Sequence, residues 1–253
     1  VEKPAGGLSM ELKLDNPKIF SDIIGIISEL VSEVKMKVGK DGLNIVAVDP
    51  ANVAMIAFSL PATAFSQLEA GEETIAINLE KFKAILKRCS AGSALIMKTE
   101  ENFLKIEIID KIKREFTLTM LDLESGKDKP IPNLEFSTKI EMSGMDFADA
   151  VEDCSIVSDS CGFEAKPDSF SIFSKGPLNS ANLTYSSDEV KIETGVEAKG
   201  KYSLEYLQKM VKGTKLTDKI NLNFGADYPL RLEFNAPLFN LAFILAPRID
   251  TDD

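Results

Sequence analysis

Asp41-Gly42-Leu43-Asn44-Ile45 and, 127 positions later, Asp168-Ser169-Phe170-Ser171-Ile172 read as one turn entering one strand, met twice in the same chain. Each opens on an aspartate and a small residue suited to a tight turn. Apolar and polar side chains then alternate, so that one face points to a core. The match extends in both directions. Phe20 is matched by Phe147 at the same spacing, and Leu79-Glu80-Lys81-Phe82 with Lys87 by Leu204-Glu205-Tyr206-Leu207 with Lys212 at a spacing of 125. Leu104-Lys105-Ile106-Glu107 is matched by Leu230-Arg231-Leu232-Glu233 at 126. Any one pair carries the weight of a coincidence. Their common order and near-constant spacing indicate an internal duplication of a unit of roughly 125 residues.

Helical periodicity appears four times. Asn16-Pro17 reads as a cap followed by proline at the first helical position, after which Phe20, Ile23, Ile24, Ile27 and Leu30 line one face. A second helix is expected from about Leu79 to Ser90, with Phe82, Ile85, Leu86 and Cys89 on one side. A third follows Ser143-Gly144, with Phe147, Ala150, Val151 and Cys154 as its stripe. A fourth follows Ser203, another expected cap, with Leu207, Met210 and Val211, and stops near Gly213. Between the helices, segments such as Val34-Lys35-Met36-Lys37-Val38, Phe103–Ile108, Phe116–Met120 and Leu230–Phe234 alternate in the manner of strands. Short strands with frequent turns make antiparallel sheet, and four helices against roughly sixteen or more strands is an α+β fold dominated by β. Residues 121–136, charged and carrying Gly126, Pro130 and Pro132, read as an extended connector that cannot continue a central strand. The expected domains are therefore 10–120 and 137–249. A flexible tail or cloning remnant is expected at 1–9, and a short acidic tail at 250–253.

The 253 residues are 44% hydrophobic and 27% charged, the balance of a globular protein with a real core. No run approaches the roughly 18 apolar residues that span a bilayer, and the opening stretch lacks the apolar run of a signal peptide, so a cytoplasmic setting is expected. The chain has no histidine, which removes the commonest general base and the commonest metal ligand. None of the motifs GxSxG, HExxH, GxxxxGK(S/T) or GxGxxG occurs. Cys89, Cys154 and Cys161 show no CxxC spacing and read as reduced thiols, Cys89 and Cys154 on buried helix faces. Cys154 and Cys161 meet only if the chain bends sharply between them. A binding scaffold is expected, with no catalytic residue, metal site or cofactor. The net charge of −11 excludes a surface that holds DNA through overall positive charge, and shifts the question to where the 29 lysines and arginines sit.

Three stretches carry a resemblance: Gly42-Leu43-Asn44-Ile45-Val46-Ala47-Val48-Asp49-Pro50-Ala51-Asn52-Val53-Ala54-Met55; Leu121-Asp122-Leu123, leading into a connector that ends Ile131-Pro132; and Leu245-Ala246-Pro247-Arg248-Ile249. Together they resemble sliding clamps of the proliferating cell nuclear antigen (PCNA) family in its archaeal form. Asn78-Leu79 with Ile85-Leu86-Lys87, and Asp227-Tyr228-Pro229-Leu230, add to the match, which covers about residues 10 to 250. The resemblance implies two clamp-type domains per chain, with sheets outside and two helices each inside. It further implies a pseudo-sixfold trimeric ring, a homotrimer or a heterotrimer with sister subunits. Such a ring encircles double-stranded DNA as a processivity factor in replication and repair. It tethers DNA polymerase, flap endonuclease and DNA ligase, is placed by a clamp loader, and is nucleoid-associated if archaeal or nuclear if eukaryotic. Linkage by enclosure needs no strong phosphate affinity, which suits an acidic chain.

The resemblance also implies three sites. Lys18, Lys81, Lys83, Lys87, Arg88, Lys209, Lys212 and Lys215 are the DNA-facing candidates, the alternative being an ordinary solvated helix face. The third helix departs from the family, with Asp146, Asp149, Glu152 and Asp153 where relatives often carry basic residues. A partner-peptide pocket, receiving a one-turn helical plug of apolar and aromatic side chains, is implied at Val48, Val53, Met55, Leu123, Ile131, Pro229, Ile244, Ala246 and Pro247. Ile244 stands where relatives often place an aromatic. Subunit contacts are implied along Lys113-Arg114-Glu115-Phe116-Thr117-Leu118 and Ser180-Ala181-Asn182-Leu183-Thr184-Tyr185, with Lys113, Arg114, Phe116, Leu118, Ala181, Leu183 and Tyr185 as the contact residues. Two rivals stand beside the clamp: a checkpoint-type clamp subunit, and a carboxylate-dependent nucleic-acid enzyme built on Asp149 and Glu152.

Overall fold

The computed structural model describes residues 9–122 and 129–249. The chain divides into two units. Unit 1 takes the residues up to Val48, Ala57–Ile131 and Pro237–Asn240, while unit 2 takes Asp49–Ile56, Pro132–Ala236 and the residues from Leu241 on. In chain order the first copy is β1 (Glu11–Leu14), α1 (Lys18–Ile27), β2 (Glu33–Gly39), β3 (Gly42–Val48), β4 (Ala54–Pro61), β5 (Gln67–Glu69), β6 (Glu73–Asn78), α2 (Leu79–Leu86), β7 (Ala94–Glu100), β8 (Phe103–Ile109) and β9 (Lys113–Thr119). The second repeats it element for element: β10 (Thr138–Ser143), α3 (Gly144–Ser155), β11 (Ser160–Lys166), β12 (Ser169–Lys175), β13 (Ser180–Ser186), β14 (Lys191–Thr194), β15 (Ala198–Ser203), α4 (Leu204–Met210), β16 (Lys219–Phe224), β17 (Leu230–Ala236) and β18 (Phe239–Leu245). The fold is α+β, as the alternation of short strands and amphipathic helices requires.

Strand pairing repeats as well. Unit 1 has the hydrogen-bonded orders β5-β1-β7-β8-β9 and β6-β2-β3-β4; unit 2 has β14-β10-β16-β17-β18 and β15-β11-β12-β13. The duplicated strand sits identically in both. Leu43 and Ile45 of β3 lie opposite Val38 and Met36, and Phe170 and Ile172 of β12 lie opposite Ala165 and Phe163. All eight are buried, since alternate residues of a strand share one face. Gly42 has φ +129°, and a Cβ there would lie 2.1 Å from the Leu60 carbonyl oxygen, so the turn admits only glycine.

Each core is built around the repeated phenylalanine. In unit 1, Phe20 of α1 meets Phe82 of α2 edge-on at 6.0 Å and Phe58 at 6.3 Å. In unit 2, Phe147 of α3 meets Phe163 at 6.0 Å, and Phe163 also contacts Phe170, Tyr202 and Phe224. Such edge-to-face pairs add to the burial of large apolar area that holds each unit together.

The helix ends differ from expectation in four places. α1 has no side-chain cap: Pro17 already has helical angles, and the Ser21 N–H bonds to its carbonyl at 2.9 Å, so Asn16 is left outside the first turn. α2 ends at Leu86, because the following amides of Arg88 and Cys89 tighten onto Ile85 and Leu86 in i→i+3 bonds; Cys89 is therefore off the helix and half-buried. α4 yields to a 3-10 segment, Val211–Lys215, and Ser203 makes no capping side-chain bond. Asn78 and Ser143, by contrast, cap α2 and α3 by accepting the N–H of Lys81 at 3.2 Å and of Asp146 at 3.3 Å. The chain does bend sharply after α3. Cys154 and Cys161 are buried free thiols, and the neighbouring Cys154 together with burial drives the Cys161 thiol far upward. No helix among the described residues is long and apolar enough to cross a membrane.

Candidate functional site

The four helices carry unlike charge. On α2 and the turn after it, Lys81, Lys87 and Arg88 are exposed and Lys83 is half-buried. None of these four forms an ion pair among the described residues. Lys18 of α1 is held by Asp22 at 2.5 Å, an i,i+4 pair that neutralises it locally. Lys209 of α4 is paired with Glu205 at 3.3 Å, and its ammonium lies 5.6 Å from the centre of the Tyr206 ring. Lys212 and Lys215 are exposed in the 3-10 segment. On α3 the carboxylates of Asp146, Asp149, Glu152 and Asp153 are all exposed and have no cationic partner among the described residues. Of these, Asp146, Asp149 and Asp153 bear on Tyr185 of β13. Burial first, and then their charges, raise its phenol, which donates to the Asp146 carbonyl at 3.4 Å.

The loop between β3 and β4 is organised around a buried carboxylate. Asp49 is only 5% exposed. Its Oδ1 accepts the N–H groups of Val53 and Ala54, both at 2.7 Å, and its Oδ2 accepts the Ala51 N–H at 3.2 Å and the Tyr206 hydroxyl at 2.6 Å. Burial pushes the Asp49 carboxyl upward, but the bonds from Ala54, Tyr206, Val53 and Ala51 outweigh it and hold it below the usual carboxylate range. The same bond, with burial and the charges of Asp49 and Glu205, pushes Tyr206 up to about 12. Asn52 turns the loop at φ +57°, a conformation asparagine tolerates.

Hydrogen bonds then run from this loop through the expected pocket residues of unit 2. The Ala246 N–H donates to the Val53 carbonyl at 2.9 Å, seating the end of β18 beside the start of β4. The Arg248 N–H donates to the Lys201 carbonyl at 2.7 Å, and the Tyr202 hydroxyl donates to the Tyr228 carbonyl at 2.8 Å, next to Pro229. Val53, Met55, Pro229, Ala246 and Pro247 are half-buried, while Ile244 is buried. Val48 is half-buried at the end of β3, Ile131 is 44% exposed, and Leu123 lies outside the described residues. Neither Asp49 nor Tyr206 stood out as a site residue in the sequence. The one available signal was the duplication itself, because Tyr206 occupies the place of Lys81 in the other copy.

The two expected contact strands are both sheet edges, β9 beside β8 and β13 beside β12. Each alternates exposed and half-buried residues. On β9, Lys113 is bonded to Glu115 at 2.6 Å and Glu107 at 3.3 Å, Arg114 to Asp110 at 2.7 Å, and Phe116 and Leu118 are half-buried. On β13, Ala181, Leu183 and Tyr185 form the half-buried row. Among the described residues no group of three or more Asp, Glu or Cys side chains is arranged to hold a metal ion.

Comparison with known proteins identifies the family and the fold. Residues 9–128 match the family model "Proliferating cell nuclear antigen, N-terminal domain", and residues 130–248 match its C-terminal counterpart. A curated "DNA polymerase sliding clamp" of Thermococcus gammatolerans is 35% identical over 249 residues, covering 96% of this chain and 100% of that protein. Those of Thermococcus fumicolans and Pyrococcus furiosus are 36% and 34% identical with the same coverage. Among solved structures, PCNA from Entamoeba histolytica superposes with TM-score 0.89 at 20% identity, over 95% of this chain and 99% of that one, a likeness of fold. PCNA from Thermococcus kodakaraensis superposes with TM-score 0.88 at 25% identity, over 94% of this chain and 100% of that one. With both halves matched by the family's two domain models, the chain belongs to the proliferating cell nuclear antigen family.

Proposed function

We propose that this chain is one subunit of a ring that encircles duplex DNA and holds replication enzymes against it. It is a DNA polymerase sliding clamp, and so a processivity factor. Its contribution is to raise the effective concentration of polymerase at the primer end by tethering, with no chemistry of its own. The observation that carries ring closure is the difference between equivalent strands. β18 ends beside β4 in unit 2 through the Ala246–Val53 bond, whereas their repeat counterparts β9 and β13 each keep an open edge. Pairing β9 of one chain with β13 of the next satisfies those edges and covers Phe116, Leu118, Ala181, Leu183 and Tyr185. Three chains of two units then close a pseudo-sixfold ring, alone or with sister subunits.

Inside such a ring, Lys81, Lys83, Lys87 and Arg88, together with Lys212 and Lys215, centre the duplex by contacts to phosphate, and Lys18 and Lys209 contribute less. The apolar residues about the Asp49 loop, Val53, Met55, Ala246 and Pro247 with Pro229, receive a partner's helical plug. Flap endonuclease, ligase and the clamp loader share this surface with the polymerase. Light scattering tests the ring directly: a particle of three times the 27.7 kDa chain is expected, and Leu183→Lys should return it to a monomer. A stable monomer that no sister subunit assembles refutes the ring. A checkpoint-type subunit would assemble yet fail to stimulate polymerase, and nuclease activity lost in Asp149→Ala would favour the enzyme.

A further inference from the structure

We infer that Tyr206 is a positioning residue for the partner-peptide surface: from α4, its hydroxyl completes the shell of donors around Asp49 and so fixes Val53 and, through it, the C-terminal segment at Ala246. The inference rests on the partner-surface reading above. The geometry is a relay of short contacts. The Tyr206 hydroxyl reaches Asp49 Oδ2 at 2.6 Å, Asp49 Oδ1 holds the Val53 and Ala54 amides at 2.7 Å each, and the Val53 carbonyl holds the Ala246 amide at 2.9 Å. Of the four donors to Asp49, three come from the loop itself and the fourth, Tyr206, comes from a helix, so the phenol is the donor that ties the carboxylate to an element outside its own hairpin. A buried carboxylate deprived of one donor relaxes toward whatever donors or water remain, and the amides it organises move with it.

The charges that bear on the pair are few. Glu205 adjoins Tyr206 on α4 and raises its phenol, and the Lys209 ammonium lies over its ring. Tyr206→Phe leaves that ring and its packing in place, so it removes a hydroxyl and little else. The first measurement needs no ligand: deuterium exchange of the assembled protein, followed on segments containing Val53, Ala54 and Ala246. Tyr206→Phe is expected to speed exchange there several-fold while segments of β11 and β12 stay as in the wild type. The second uses a fluorescein-labelled peptide that presents one aliphatic and two aromatic side chains on a single helical turn. Tyr206→Phe should raise its Kd about 5- to 10-fold, the net contribution of one ordinary hydrogen bond, because the bond acts on the peptide only through the loop. That loss should grow as the pH is lowered from about 5 towards 3, because Asp49 without its phenol donor protonates more readily and so loses its hold on the loop at a higher pH than in the wild type. Wild-type exchange rates in Tyr206→Phe overturn the inference whatever the peptide does. Faster exchange with an unchanged Kd and pH profile also overturns it, leaving a purely structural bond. A wild type that does not bind the peptide, with exchange altered in the variant, refutes the partner-surface reading and, with it, the role assigned to Tyr206, while leaving the tie to the loop intact.

Discussion

The loops that follow the duplicated strand are the sharpest contrast between the two copies. After β3 the chain makes the Asp49–Val53 loop, closed on a buried carboxylate with donors from Ala51, Val53, Ala54 and Tyr206. After β12 it makes Gly176-Pro177-Leu178-Asn179, closed by a Gly176 N–H bond to the Asn179 carbonyl at 2.9 Å, with Leu178 96% exposed. Gly176 stands where the other copy has Asp49, 127 positions earlier. A Cβ there would lie 2.8 Å from the Val157 carbonyl oxygen, so the second loop has no room for a side chain at the position where the first depends on one. The repeated hairpin is thus braced on a buried carboxylate in one copy and closed as a plain turn in the other.

Three substitutions test that difference. Asp49→Ala should cost the most, about 3 kcal/mol of unfolding free energy in a denaturant titration, because it orphans a group of buried donors. Gly176→Ala should cost about 1–3 kcal/mol through overpacking and leave peptide binding unchanged. Equal loss of binding in both would erase the distinction. Acid should act on one loop only. The Asp49 carboxyl is depressed in the folded state, so its stabilisation is complete above the ordinary value of 3.8 and is lost as pH falls through the lower folded value. Asp49→Asn should flatten the stability profile in that acid window, and Gly176→Ala should not.

The helices offer a second contrast, basic α2 against acidic α3. Replacing Lys81, Lys83, Lys87 and Arg88 together by Ala should flatten the salt dependence of retention on circular DNA by nearly one unit of log–log slope for each phosphate no longer neutralised. Replacing Asp149 and Glu152 by Gln should instead lengthen retention slightly. The smallest effect is expected of Lys18→Ala. The pair with Asp22 is solvent-exposed, with side-chain exposures of 60% and 43%, and its removal should cost no more than about 0.5 kcal/mol in thermal unfolding.

The duplication and the α+β class were legible because they rest on repeated spacing and periodicity, and Leu43, Ile45, Phe170 and Ile172 announce a buried face by spacing alone; the two edge strands were expected only through the family resemblance. The Asn16 cap was not, because Pro17 enters the helix one residue early. Nor was the end of α2, where i→i+3 bonds rather than a glycine stop the helix. Least legible was the bond between Tyr206 and Asp49, which joins residues 157 positions apart. No local pattern reports such a pairing. In the sequence, Tyr206 is simply the place where the second copy has no counterpart to the lysine that the first carries as Lys81.

The open edges of β9 and β13 carry a cost wherever they stay unpaired. A chain without neighbours displays two unpaired rows of backbone donors and acceptors, flanked by half-exposed Phe116, Leu118, Leu183 and Tyr185. Such edges are templates for indiscriminate strand addition. Under the proposed ring, a cell that makes more subunits than it can assemble would accumulate the aggregation-prone form, and supply matched to assembly would protect the protein as much as its own stability does.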